Sequence, residues 1–305
     1  VTIDLPSTAL RVRTTLQTAT LTAVALLAFA GNSWLCRAAL RSHAIDPASF
    51  TAIRIASGAL VLALLVLLRP GRSGGGRFAG SFASAGALFA YAIAFSFAYV
   101  ALSAGVGALI LFGAVQLTML AGGFLAGQRA TAADAAGIAL ALGGLACLAL
   151  PGATAPEPLA ALGMALAGSA WGVYSLRGRR ESASPLLVTA GNFLRAVPLA
   201  LGGLAVAFAF SDLHASPQGL FLAALSGALT SGLGYAIWYA ALPGLEAAQA
   251  GLVQLAVPVL TALGGVLFLA ERWSGRLMLS TALVLCGIAL ALSGARSSEA
   301  RPPKS

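Results

Sequence analysis

The sequence predicts an all-α integral membrane protein: ten transmembrane helices, formed by two inverted five-helix repeats around a central cavity. Three observations carry that prediction, namely the composition, the length of the apolar runs and an internal echo at an offset near 140 residues. Of 305 residues, 59% are hydrophobic and 9% are charged, against about 25% charged in an average soluble domain. With a mean hydropathy of +0.92, a soluble fold could not cover this much apolar surface with a wettable exterior. Disorder is excluded as well, because too few polar groups are present to keep the chain solvated.

A hydrocarbon core about 30 Å thick takes roughly 20 apolar helical residues per crossing. Ten such runs occupy residues 16–39, 47–68, 79–101, 105–126, 131–150, 158–176, 185–209, 217–241, 247–269 and 274–293. Arg, Pro, Asp, Glu and Gly separate them, as in the stretches 69–77 and 177–184. Barrel strands would be about ten residues long and would alternate polar with apolar, so helices are predicted. The first run follows Arg11 and Arg13 and passes through Ala28-Phe-Ala30, the layout of a cleavable leader. Its relative later in the chain argues that it is retained, since a removable address would not be duplicated.

With the N-terminus placed in the cytoplasm, twelve Lys or Arg fall in inside loops and tails and four, Arg37, Arg41, Arg272 and Arg276, fall outside. That bias orients the chain with both tails, residues 1–15 and 294–305, in the cytoplasm. The net charge of +9 then records topology rather than a surface for nucleic acid. Three cysteines, each inside an apolar run, are too few for a disulfide framework.

Residues 158–293 echo residues 16–150. Gly31-Asn-Ser-Trp34 resembles Gly168-Ser-Ala-Trp171, Pro47 opens span 2 as Pro185 opens span 7, and Tyr99-Val-Ala-Leu102 matches Tyr239-Ala-Ala-Leu242. Phe124-Leu-Ala-Gly-Gln-Arg129 likewise parallels Leu267-Phe-Leu-Ala-Glu-Arg272. An odd number of spans per copy inserts the two copies in opposite orientations. Secondary transporters use such repeats to place a substrate site where the halves meet. A repeat kept for packing alone, in an assembly factor or lipid-organising scaffold, is the alternative from another class.

These residues resemble the drug/metabolite transporter superfamily, EamA type, over residues 16–293: ten spans in two halves, Gly-x-x-Trp in spans 1 and 6, and Gly-Gln-Arg and Ala-Glu-Arg closing spans 4 and 9. The resemblance implies a basket of helices in a bacterial inner membrane. Its cavity would be lined by spans 1, 3, 4, 6, 8 and 9, with spans 5 and 10 peripheral. Within the superfamily the chain is most similar to exporters of aromatic amino acids, which implies neutral and aromatic amino acids as cargo and membrane lipid as surroundings. Drug and nucleotide-sugar carriers of the same superfamily are the alternative. The family often has Glu after span 4, where Gln128 stands; Glu271 keeps the acid in the second half.

Tyr91, Phe95 and Tyr99 in span 3 repeat every four residues and share a helical face. Span 8 carries Ser231, Tyr235 and Tyr239 on a matching stripe, with Trp238 beside it. With Trp34 and Trp171, these rings would wall a cavity and keep a polar atom each on Tyr and Trp for a substrate. Trp34, Tyr99, Trp238 and Tyr239 also fit an interfacial aromatic belt; Tyr91, Phe95 and Tyr235 lie too deep for one. Among embedded polar groups, Asn32, Gln116 and Gln254 are binding candidates, while Ser33 and Asn192 read as interhelical hydrogen bonders.

Two arginines are embedded. Arg54, about 10 Å into its helix, could snorkel to the outer surface. Arg195 stands near mid-bilayer, and for both arginines the readings are a gating or structural role, donating to carbonyls freed by Pro198 and similar breaks, or recognition of a substrate carboxylate. Pro258, inside span 9, is a gating bend or a static kink, and the paired glycines serve close helix packing.

No Walker-type phosphate loop, His-Glu-x-x-His, cysteine pair or Gly-x-Ser-x-Gly elbow is present, so no catalytic residue, metal or cofactor is expected. None of the nine Asp and Glu lies deep in a span, which leaves no mid-membrane carboxylate to carry a proton. Movement down the substrate's own gradient is the simplest remaining mechanism, with the span-end Glu271 the one acid that closure of a cavity could bury.

Overall fold

The described apolar runs form helix because hydrocarbon offers the backbone no partners, so donors and acceptors must be met within the segment. The computed structural model describes residues 7–68, 78–125, 132–150, 155–178, 181, 183–241, 245 and 253–299, and Gln128 and both extreme tails lie outside them. The described helices are α1 (Ser7–Arg41), α2 (Pro47–Leu67), α3 (Phe82–Ala98), α4 (Ala104–Leu125), α5 (Ala132–Ala149), α6 (Pro158–Gly178), α7 (Pro185–Phe210), α8 (Pro217–Ala241), α9 (Ala256–Leu269) and α10 (Gly275–Glu299). Six of them, α1, α2, α4, α6, α7 and α8, are long and apolar enough to cross a membrane by length and composition; α3, α5, α9 and α10 hold shorter apolar segments.

Proline and short polar side chains set several starts. Pro47, Pro158, Pro185 and Pro217 each open a helix, where their fixed φ suits the first turn and the missing N–H costs nothing. Asp46 caps α2 by accepting from Ser49 N at 2.8 Å, and Ser216 caps α8 by accepting from Gly219 N at 3.1 Å.

Two elements depart from the sequence reading. Of the ninth span expected over 247–269, residues 247–252 lie outside the described ones; Val253 and Gln254 are helical, Leu255 forms a turn, and α9 begins at Ala256. Pro258 therefore stands in its first turn rather than in a helix interior. Within α8, Ser226–Leu233 winds as π-helix, with i→i+5 bonding that widens each turn and that apolar patterning could not reveal.

The principal helix pairings are α5 with α10, α2 with α7 and α4 with α9, then α3–α6 with α1–α8, α4–α6 with α1–α9, and α3–α7 with α2–α8. Replacing each helix by the one five places along returns the same set. Close approach is real at Gly168, where an added Cβ would strike the Leu111 carbonyl of α4 and lie 2.7 Å from the Ala114 Cβ. Outward faces carry exposed Leu162, Leu201, Phe208 and Leu279, an exterior suited to lipid rather than water.

The turns gather at two rims. At the far rim, Asp46 and His214 exchange hydrogen bonds, Asp46 N to His214 O at 2.9 Å and His214 N to the Asp46 carboxylate at 3.1 Å. At the near rim, Arg177 donates to Ser84 Oγ at 3.1 Å, and Asn192 accepts from Ser81 N at 3.0 Å. Asn192 thus bonds between elements, as its sequence reading had it.

Candidate functional site

Helical spacing brings the rings to one place. Phe29, Asn32 and Ser33 of α1 share a face, as do Tyr91 and Phe95 of α3, since residues three and four apart lie one above the other. Trp171 of α6 and Tyr235 of α8 enter from the other side. Ring centroids lie 5.0 Å apart for Tyr91–Trp171, 4.9 Å for Trp171–Tyr235 and 5.9 Å for Tyr235–Phe29. Tilted and edge-to-face contacts of this kind suit the ring quadrupoles. The cluster runs on through Phe95 to Tyr99 at 4.7 Å, and through Phe29 to Trp238 at 5.7 Å.

Between these rings, with Asn32, Ser33, Leu111 and Phe112, lies a cavity of about 20 Å³. That holds about one water. The rings pack on one another and fill most of the space between them.

Other sequence candidates sit apart. Trp34 turns toward α9, donating from Nε1 to Thr261 O at 2.9 Å and packing its ring over Gly264 and against Phe268. The Gly264–Gly265 pair therefore seats side chains, Trp34 on the first and Glu271 on the second, rather than a helix backbone. Tyr239 turns toward Tyr174 and Thr189. Gln116 is buried, with its Nε2 unpartnered among the described residues, and Gln254 is buried just before the turn at Leu255.

A polar network backs the ring cluster. Asn32 donates to Tyr91 OH at 3.2 Å and accepts from Ser226 Oγ at 2.7 Å. Arg54 donates to Ser231 Oγ at 3.0 Å and to Tyr91 OH at 2.9 Å. The π turn supplies both serines, and such turns recur at functional sites because they re-aim side chains. Arg54 is 2% exposed, so it points inward and does not snorkel. Arg195 does donate to backbone carbonyls, those of Ala79 at 2.8 Å and Gly191 at 2.9 Å, not the one freed by Pro198.

The far rim holds a second cluster. Glu271 accepts from the Ala104 amide at 2.9 Å, closing the start of α4, and pairs with Arg37 Nε at 3.4 Å. Arg37 Nη1 donates to Tyr99 O at 2.9 Å and Val100 O at 2.8 Å, beyond the end of α3. Arg41 donates to Leu269 O. Negative charge at a helix start and positive charge at a helix end both oppose the macrodipole.

Sequence reasoning missed Phe29 and Arg37. Phe29 is one more apolar letter in an apolar run, although its three-residue spacing from Asn32 puts both on one face. Arg37 entered only the count of outside charges.

The family model described as EamA-like transporter family matches residues 158–293. The uncharacterized protein PA1977 of Pseudomonas aeruginosa is 55% identical over 277 residues, covering 91% of this chain and 95% of that one. A crystal structure of a protein, 21% identical, covers 91% of this chain and 99% of its own with a TM-score of 0.60, a likeness of fold.

Proposed function

Because the chain belongs to the EamA-like transporter family, within the drug/metabolite superfamily, we propose that it exports small metabolites, aromatic and other neutral amino acids first, by alternating access. It is a multi-pass membrane protein of a family that is generally non-enzymatic. The observation that carries the cargo reading is the ring cluster: Phe29, Tyr91 and Phe95 from the first half interleave with Trp171 and Tyr235 from the second around one small cavity. Rings stack on rings, and Tyr and Trp keep a polar atom for an amino or carboxyl group. The finer likeness read from the residues, to the bacterial aromatic amino-acid exporter YddG, agrees with such a cargo.

Two inverted five-helix units, 16–150 and 158–293, are supported by helix pairings that survive exchange of the halves. The arginine split supports cytoplasmic tails in the inner membrane, which makes the far rim external. Cysteines placed in the 177–184 loop should then react only from the inside. In this reading Trp34, Tyr99, Gln116, Trp238, Tyr239 and Gln254 extend the pathway, and Arg195, Pro258 and Glu271 serve gating or structure. Arg37, Arg41 and Glu271 hold the external side shut, and cargo enters from the near rim as the rings part.

The experiment is purified protein in liposomes with labelled Phe, Trp, Leu and Thr. Entry faster than into empty vesicles is expected; equal rates would sink the reading and favour a non-transporting scaffold. Competition by drugs or nucleotide sugars in the same vesicles would move the substrate class instead.

A further inference from the structure

Arg54 is a buried cation with an unfilled donor. Its guanidinium lies over the rings of Tyr91 and Phe95, 5.1 and 5.0 Å from their centroids. Nε and Nη2 are satisfied by Ser231 and Tyr91. Nη1 is buried and meets no hydrogen-bond partner among the described residues, and no described carboxylate stands within ion-pairing distance of Arg54. Two hydrogen bonds and two ring faces return only part of the lost hydration, because a buried charge is costly unless an opposite charge meets it. A guanidinium is not relieved by giving up its proton. An ionisable group held this way inside a membrane protein points to a pathway and to a missing partner of opposite sign.

Resting on the transporter reading above, we infer that Arg54 is the recognition site for the carboxylate of an aromatic substrate. A planar carboxylate can take the free Nη1–H as one bond of a charge-assisted pair. Tyr91 offers a second: its oxygen accepts from both Arg54 and Asn32, which leaves its own O–H to donate. Tyr91 also lines the central cavity while touching Arg54, so it joins the cation to the space where the aromatic body stacks. No described acid stands beside the cluster to hold an ammonium. The carboxylate is therefore the determinant, and the amino group is dispensable. Aromatic carboxylates without an amino group are carried; aromatic amines are not.

The test uses the full chain in liposomes with labelled phenylalanine, and the detergent-purified protein in thermal unfolding. 3-Phenylpropionate should compete with uptake and raise the melting temperature, while phenethylamine and 3-phenylpropanol do neither. Arg54→Gln should lower uptake about tenfold or more, as truncation of one member of a buried charge pair does, and abolish the shift by 3-phenylpropionate; Arg54→Lys should restore part of both. Should the variants fail to fold, the wild-type ligand series decides alone. Phenylalanine uptake blocked equally by phenethylamine would overturn the Arg54 site and leave the transporter standing. Carboxylate-selective stabilisation without any flux would keep the site and overturn the transporter.

Discussion

Arg37 Nε stands 3.4 Å from Glu271 Oε1 at the far rim, and each residue also completes the end of a helix that is not its own. Four segments meet there: the end of α1, the end of α3, the start of α4 and the turn between α9 and α10. Charged hydrogen bonds of this kind contribute about 1.5–3 kcal/mol each when well formed. The rim is therefore held from both halves at once.

Glu271→Gln should loosen that rim. Cys36 is buried beside Arg37 and carries a free thiol, so it reports the opening. In a background of Cys147→Ser and Cys286→Ser, maleimide should label Cys36 several times faster in the variant than in the parent. An unchanged rate would mean that this contact does not keep the rim closed.

Transport should not depend on a pH gradient. Asp46 and Asp134, the buried acids among the described residues, both stand at helix starts, Glu271 is partly exposed at the rim, and none of the acids the structure describes lies at the ring cluster. With membrane potential clamped, an imposed pH gradient should leave substrate distribution in liposomes unchanged. Uphill accumulation that disappears in Glu271→Gln would make Glu271 the coupling group.

Helix boundaries were legible because lipid and proline leave little choice: Pro47, Pro158, Pro185 and Pro217 begin helices where the sequence marks them. The turn at Leu255 was not, since no turn-forming residue stands beside it. The deep rings were legible from four-residue spacing and matching positions in the two halves. Which way Arg54 points was hidden, because a helix apolar on every side has no pattern to distinguish its core face from its lipid face. The π turn was hidden for the same reason: an extra residue in a turn leaves no mark on composition.

Ala270 holds a left-handed backbone, φ 50° and ψ 36°, and thereby turns the chain so that Glu271 reaches α4. That conformation crowds a Cβ by roughly 1–2 kcal/mol, part of which glycine returns through its freer unfolded chain. Ala270→Gly should raise stability by about 0.5–1 kcal/mol, read as a higher melting temperature in detergent. A lower value would show that the turn is not strained.

Gly168 and Gly143 should respond oppositely to alanine. At Gly168 the added carbon meets backbone of α4, while at Gly143 no atom lies within 4 Å. Overpacking costs about 1–3 kcal/mol, whereas alanine in an open helical position gains up to about 1 kcal/mol. Gly168→Ala should therefore melt early and Gly143→Ala slightly late, in the same unfolding assay. Equal behaviour would remove the close α4–α6 approach.

The mutual packing of the rings also has an electrical side. Between Phe29, Tyr91, Trp171 and Tyr235 there is space for about one water molecule, too little for a file of them through the cluster. Protons hop along such files, and ions follow them. Packed in this way, the ring cluster acts as an insulator between its two sides.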